Sequence, residues 1–194
     1  MKNLIIINGY NDFTGKGGAI YIVCSAQYTI INCTFNNNWA KGFGGAIYSE
    51  AKKPLTIINC SFNNNKANYI TGGAIYWFNV NDFTVTNCNF TGNTANNGGA
   101  ISGEKATSTV TNCSFTGNTA NNDGGAIHWF GVNAAVTNCN SKVTPQIIIV
   151  VQFTGMVLMV LLLTVISQIT KQIIIMVVQF TGLVLMVLLL TVIS

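Results

Sequence analysis

Two glutamates, Glu50 and Glu104, each stand three residues after the isoleucine of a Gly-Gly-Ala-Ile string. Carboxylates some distance apart can divide the work of an inverting glycosidase, one as acid and the other as base. If each string marks one layer of stacked strands, two layers would set these groups about 10 Å apart. The matching position between them is Phe78, with no polar helper nearby, and the chain has no Arg. A carbohydrate-active enzyme is therefore the alternative reading, and solvated surface carboxylates the simpler one. His128 is the single histidine, so neither a His pair nor a His–Cys pair is available for metal or proton chemistry. The chain has six Cys and no C-x-x-C, which argues against zinc, and no cofactor is expected.

Five of those cysteines (Cys33, Cys60, Cys88, Cys113 and Cys139) each follow an asparagine: Asn32, Asn59, Asn87, Asn112 and Asn138. Phe35, Phe62, Phe90 and Phe115 lie two residues beyond the first four of them. Three residues past each Phe comes another Asn (Asn38, Asn65, Asn93 and Asn118), and two further on an Ala. Gly-Gly-Ala-Ile then begins at Gly17, Gly44, Gly72, Gly98 and Gly124, in steps of 27, 28, 26 and 26. The unit is x-[IV]-x-N-C-x-F-x-x-N-x-A, a short turn, then G-G-A-I-x. Self-similarity at such a period marks a repeat architecture.

Cys and Phe two apart can share one face of a strand. Asn between two short apolar runs suits a tight corner, because it tolerates left-handed backbone. Gly-Gly marks another bend with close backbone approach. The Asn, Gly and Thr content opposes helix. Short strands with three bends per unit therefore describe one coil of a parallel β-helix, about 27 residues long, and residues 1–140 hold four to five coils. Stacking at about 4.8 Å would build interior ladders of Ile/Val, Cys, Phe and Ile, and corner Asn residues are expected to form an amide ladder. That spacing exceeds the about 3.8 Å between disulfide Cβ atoms, so the Cys column is expected to be free and buried. Asn32, Asn59, Asn89 and Asn112 fit N-x-[ST], but three of them are corner residues with a structural role.

GGAI paired with F-x-x-N at one period resembles the polymorphic outer-membrane-protein repeats. NCxFxxNTAxxxGGAIYW also resembles the adhesin-like surface proteins of methanogenic archaea. The likeness covers about residues 13–139. It implies a right-handed parallel β-helix at the cell surface or outside the cell, with a role in adhesion and a carbohydrate or protein of another cell surface as partner. Tyr48, Tyr76, Trp77, His128 and Trp129 follow GGAI, as do Phe78 and Phe130, and an outward strip of such rings could stack on sugar or protein. The column of Tyr21, Tyr48, Tyr76, Ser102 and His128 is expected to face outward.

Charge excludes another class. Residues 1–140 carry seven scattered Lys against five acids, unlike the clustered basic residues, Arg among them, of a nucleic-acid binder, so no such partner is expected. Met1–Ile7 has one Lys and four apolar residues before Asn8, too short a run for a leader.

Residues 141–194 are a separate, hydrophobic segment. All 26 Asn and all five acids lie at or before Asn140. Ile147–Ile166 and Ile173–Ile193 are long enough to cross a membrane as a helical hairpin turning at Ser167–Gln172, so a membrane partner is expected if this tail is genuine. The genetic code offers another origin. Codons AAT-AAT-TAT-GGT-GGT-GCA-ATT-TAC-TGG spell the repeat's N-N-Y-G-G-A-I-Y-W. Read one base later they give I-I-M-V-V-Q-F-T-G, the sequence of 174–182. Moved back one base, the codons of 141–148 permit F-K-[GS]-N-T-A-N-N, which continues the repeat. The tail thus reads as further coils translated out of frame.

Overall fold

The computed structural model describes residues 1–194 except Cys24, Val132, 143–147, 155–157, 168–174, 182–184 and Ser194. Among the described residues every element is a strand, short up to Phe130 and longer from Asn133 on, and every strand pairing is parallel. One coil shows the plan. Leu55–Ile58 runs to the corner at Asn59, Ser61–Asn63 to a second corner at Asn64, and Lys66–Ala67 into a loop; Gly72-Gly73 then bends the chain into Ile75–Phe78. Repeating the coil stacks like strands on like, giving sheets of 12, 5 and 7 strands. The 5-stranded sheet collects the N-x-A strands, from Tyr10–Asn11 to Thr119–Asp123. The 7-stranded sheet collects the strands that follow Gly-Gly.

The register follows the sequence repeat. Phe35 pairs with Phe62, Phe62 with Phe90, and Phe90 with Phe115, with Ile6 closing the column in the first coil. Their rings stack nearly parallel at centroid distances of 4.8, 4.9 and 5.0 Å. The five described Cys are buried free thiols. Together with Ile47, Ile75, Ile101 and the aliphatic residues before each corner they fill the interior.

The corner column adopts its expected backbone. Asn32, Asn59, Asn87, Asn112 and Asn138 have φ of 52–54°. The amide ladder, however, lies elsewhere. The corner side chains are exposed, because a left-handed residue between two strands points its side chain outward. It is Asn38, Asn65, Asn93 and Asn118, all fully buried, that point inward. Asn65 donates from N and Nδ2 to Asn93 Oδ1 at 2.9 and 3.0 Å, and from Nδ2 to Phe35 O at 3.0 Å. Asn93 repeats the pattern with Asn118 and Phe62 O. A buried bend leaves backbone donors and acceptors together, and an amide side chain serves both at once.

Each glycine of the Gly-Gly pair is required for its own reason. Gly44 has φ +57°, and a Cβ there would also overlap Ile47 O. Gly45 lies where a Cβ would overlap Gly73 O and approach Lys66 N at 2.5 Å, so the bend packs backbone against the 5-stranded sheet.

The tail forms strands, where the membrane reading would have required two helices. Ile148–Thr154 and Ile175–Thr181 extend the 7-stranded sheet, and Leu158–Ser167 and Leu185–Ile193 join the 12-stranded one. Parallel partners were at hand from the coils below, and pairing satisfies the tail's backbone groups as well as a helix would. Among the described residues no helix is long and apolar enough to cross a membrane. The expected turn at Ser167–Gln172 lies, beyond Ser167, outside the described residues, as does Cys24.

Candidate functional site

The strands after Gly-Gly alternate. Ile75 and Trp77 point into the interior and Tyr76 points away. This corrects part of the expected aromatic strip: Trp77 and Trp129 are fully buried core residues. Trp77 stacks on Phe83 with centroids 3.8 Å apart and overhangs Gly103, where any Cβ would enter the indole ring. Gly103 thus makes room for a bulky neighbour in the preceding coil.

The outward column is also covered. Tyr48 and Tyr76 retain only 4% and 3% of their exposure, and Ser102 is buried, whereas Tyr21 stays open at 41%. Tyr48 and Tyr76 stack at 5.4 Å, and Phe43, from the loop before Gly44, lies against both at 6.0 and 4.8 Å. His128 is half-buried, its Nδ1 lying 3.2 Å from Ser102 Oγ; burial lowers its pKa, with Asp123 opposing. The imidazole lies beside a buried hydroxyl, and the column runs on in register to Val150.

The glutamates cap the rings. Glu50 accepts from the Tyr21 hydroxyl at 2.5 Å, the Tyr48 hydroxyl at 2.9 Å and Lys16 Nζ at 3.2 Å. Burial pushes the Glu50 carboxyl up, but these three donors outweigh it and hold it below the ordinary carboxylate range. Burial and Glu50 push the Tyr48 hydroxyl up to about 12. Glu104 accepts from the Tyr76 hydroxyl at 2.8 Å, and Tyr76 is raised further, first by burial and then by Glu104. Each carboxylate is engaged by a tyrosine of the neighbouring outward column, and Phe78 pairs with Glu104 in the register. The Cys column is mixed: Cys88, Cys113 and Cys139 are raised, whereas the bond to Cys88 lowers Cys60. The bond to Cys113 lowers the Cys88 thiol, but its bond to Cys60 and its burial prevail and put it at about 12, far from a reactive thiolate.

The most open aromatic pair was missed in the sequence. Tyr10 and Trp39 stack at 4.5 Å and 10°, on the outer face of the 5-stranded sheet, and Tyr10 is 68% exposed. The column they begin runs on through Lys66, Thr94 and Thr119. Because its residue type changes from coil to coil, it left no trace in the repeat pattern. A shallow trough of about 230 Å³ runs along Lys66, Thr94 and Thr119.

Parallel coils, ladders of identical side chains and an outer surface free to vary define a β-solenoid scaffold. Residues 2–141 match the family described as right handed beta helix region, and the chain belongs to that family. No curated protein and no solved structure matches the chain.

Proposed function

We propose that this chain is a non-catalytic repeat module of a cell-surface protein, of the kind represented by the polymorphic outer-membrane-protein repeats and the methanogen adhesin-like proteins, and that it acts in adhesion or surface structure. The observation that carries the reading is the division of labour between positions. The Cys, Phe and Ile columns repeated from coil to coil fill the interior, while the corner Asn recur at the surface and one outer column varies, beginning with an open Tyr10–Trp39 pair. The acid–base groups weigh the same way. Glu50 is held ionised by three donors, which unfits it to give up a proton, and Glu104 is bonded by Tyr76. A glycosidase pair needs one carboxyl kept protonated and both turned to substrate.

The reading is tested on the native host with antibody against a peptide of residues 1–140. Intact cells are expected to label, and brief protease treatment of intact cells to abolish the signal. Labelling that appears only after lysis overturns it.

A further inference from the structure

We propose that Tyr21 and Tyr48 form an oxidative cross-linking site, at which a haem peroxidase with hydrogen peroxide joins the two phenol rings into a dityrosine that ties the first coil to the second. The two residues are register partners in the strands that follow Gly-Gly. Their ring centroids lie 5.1 Å apart, edge to face at 77°. One carboxylate holds both phenols: Tyr21 donates to Glu50 Oε1 at 2.5 Å and Tyr48 to Glu50 Oε2 at 2.9 Å. Tyr76, one coil further on, is bonded to Glu104 instead. Tyr10 faces Trp39, and Tyr28 has Leu55 as its register partner, so neither stands against a tyrosine in the coil above.

Removing an electron from a phenol makes its proton strongly acidic, and the bonded carboxylate is within reach to take it. Lys16 Nζ lies 4.8 and 5.4 Å from the centroids of Tyr48 and Tyr21 and opposes a cationic ring, so the proton leaves with the electron. Tyr21 is 41% exposed and meets the oxidant. Tyr48, at 4%, gives its electron to the Tyr21 radical across the ring contact. A second oxidation of Tyr21 leaves two neutral radicals side by side. Their ring carbons next to the C–O carbon join, and each joined carbon passes its hydrogen to its own oxygen, which restores two phenols. The peroxide takes up two electrons and two protons and becomes two waters. Glu50 relays the protons outward one at a time, because its side chain keeps 28% of its exposure.

The bond would act where the solenoid is held least. Tyr21 belongs to Ile20–Ile22, the edge strand of the 7-stranded sheet. The same coil exposes Ile5, Ile7 and Phe13 at 75, 56 and 99%. A coil supported by one neighbour is the first to open. Tyr21 and Tyr48 are one repeat apart, so their coupling closes a loop in the unfolded chain as a disulfide would, and does so without the cysteines, which are buried in the interior.

The test treats the dilute full chain with a haem peroxidase and hydrogen peroxide. Dityrosine fluorescence is expected in the monomer band of a denaturing gel. Proteolysis and mass spectrometry are expected to find the Tyr21 and Tyr48 peptides as one species, two hydrogens lighter than their sum. Tyr21→Phe should remove nearly all of the monomer signal, whereas Tyr69→Phe, at a tyrosine 61% exposed, should leave it unchanged. Glu50→Gln keeps an acceptor oxygen but no base, and should slow the coupling about tenfold or more. The cross-linked parent should melt several degrees above the untreated chain. Mapping the bond in the parent decides the site even where a variant fails to fold. Cross-links found only between chains, a bond mapped to other tyrosines, a folded Glu50→Gln variant that couples at the parent rate, or a cross-linked parent with an unchanged melt each overturns the proposal.

Discussion

Asn38 donates from both its backbone N and its Nδ2 to the single Oδ1 of Asn65, at 3.0 and 2.9 Å, inside a solenoid where neither residue is exposed. The link makes one asparagine responsible for two coils. Asn65→Ala would leave these donors of Asn38 unmet and remove the amide that serves Phe35 O and Asn93 Oδ1. Each buried group without a partner costs about 1–3 kcal/mol, so a loss of about 3 kcal/mol or more is expected in urea unfolding. Asn59→Gly, at an exposed left-handed corner, should stay within about 0.5 kcal/mol. Equal effects at the two sites would deny the ladder its role.

The glycines separate in the same manner. Gly45→Ala must push the next coil's backbone away, since the obstacle is Gly73 O and not a movable side chain. Gly117 also has positive φ, at +61°, but a Cβ there meets nothing within 4 Å. Asn37 and Asn64 hold the corresponding place in earlier coils at φ 54° and 52°. Gly117→Asn should therefore be close to neutral, whereas Gly45→Ala should lower the thermal midpoint by several degrees or prevent folding. Circular dichroism melts of the two variants decide it; a Gly45→Ala midpoint equal to that of the parent would contradict the close approach.

The tyrosine column predicts alkaline sensitivity. Folding raises the Tyr48 hydroxyl to about 12, and raises Tyr76 as well, through burial and then the carboxylates they face. Groups raised in the folded state contribute stability that is whole below the ordinary tyrosine value near 10. That stability is lost as pH climbs from about 10 through 12. The thermal midpoint is expected to fall across this window, and to fall less in the Tyr48→Phe/Tyr76→Phe double variant, which keeps the rings without the ionisable hydroxyls. Parallel curves for parent and double variant would refute the assignment.

What was legible in the sequence is whatever the coils share. The Cys and Phe columns, the corner Asn and the Gly-Gly bends recur because each coil meets the same requirement, so their spacing discloses the fold. Two things were not legible. The side on which Asn38 and its counterparts point depends on how sharply the chain bends after Phe, which spacing leaves open. The covering of Tyr48 and Tyr76 depends on Phe43 in the loop before Gly44, on Glu50 two residues past Tyr48, and on Glu104 in the coil after Tyr76. Tyr10 and Trp39 escaped notice because their column reads Tyr, Trp, Lys, Thr, Thr. A column whose residue type changes along the stack carries no period.

The tail yields the last prediction. Ser141 pairs with Phe115 in the phenylalanine column and is 2% exposed, and Ser167 pairs with Ser141. A TCN serine codon preceded by a codon ending in T reads TTC, phenylalanine, when taken one base earlier. Val165 pairs with Cys139, and a GTN codon after ACT, the codon expected for Thr164, reads TGT, cysteine, by the same step. The strand register and the one-base correction thus call for the same residue at all three positions. The nucleotide sequence, read one base earlier from codon 141, is expected to spell Phe at 141, Asn at 144, Gly-Ala-Ile at 151–153, Cys at 165 and Gly-Gly-Ala-Ile at 177–180. Sequencing across the junction and translating all frames checks it. Bases beyond codon 140 that give no Gly-Gly-Ala-Ile in either other frame would make the hydrophobic tail a genuine part of the protein.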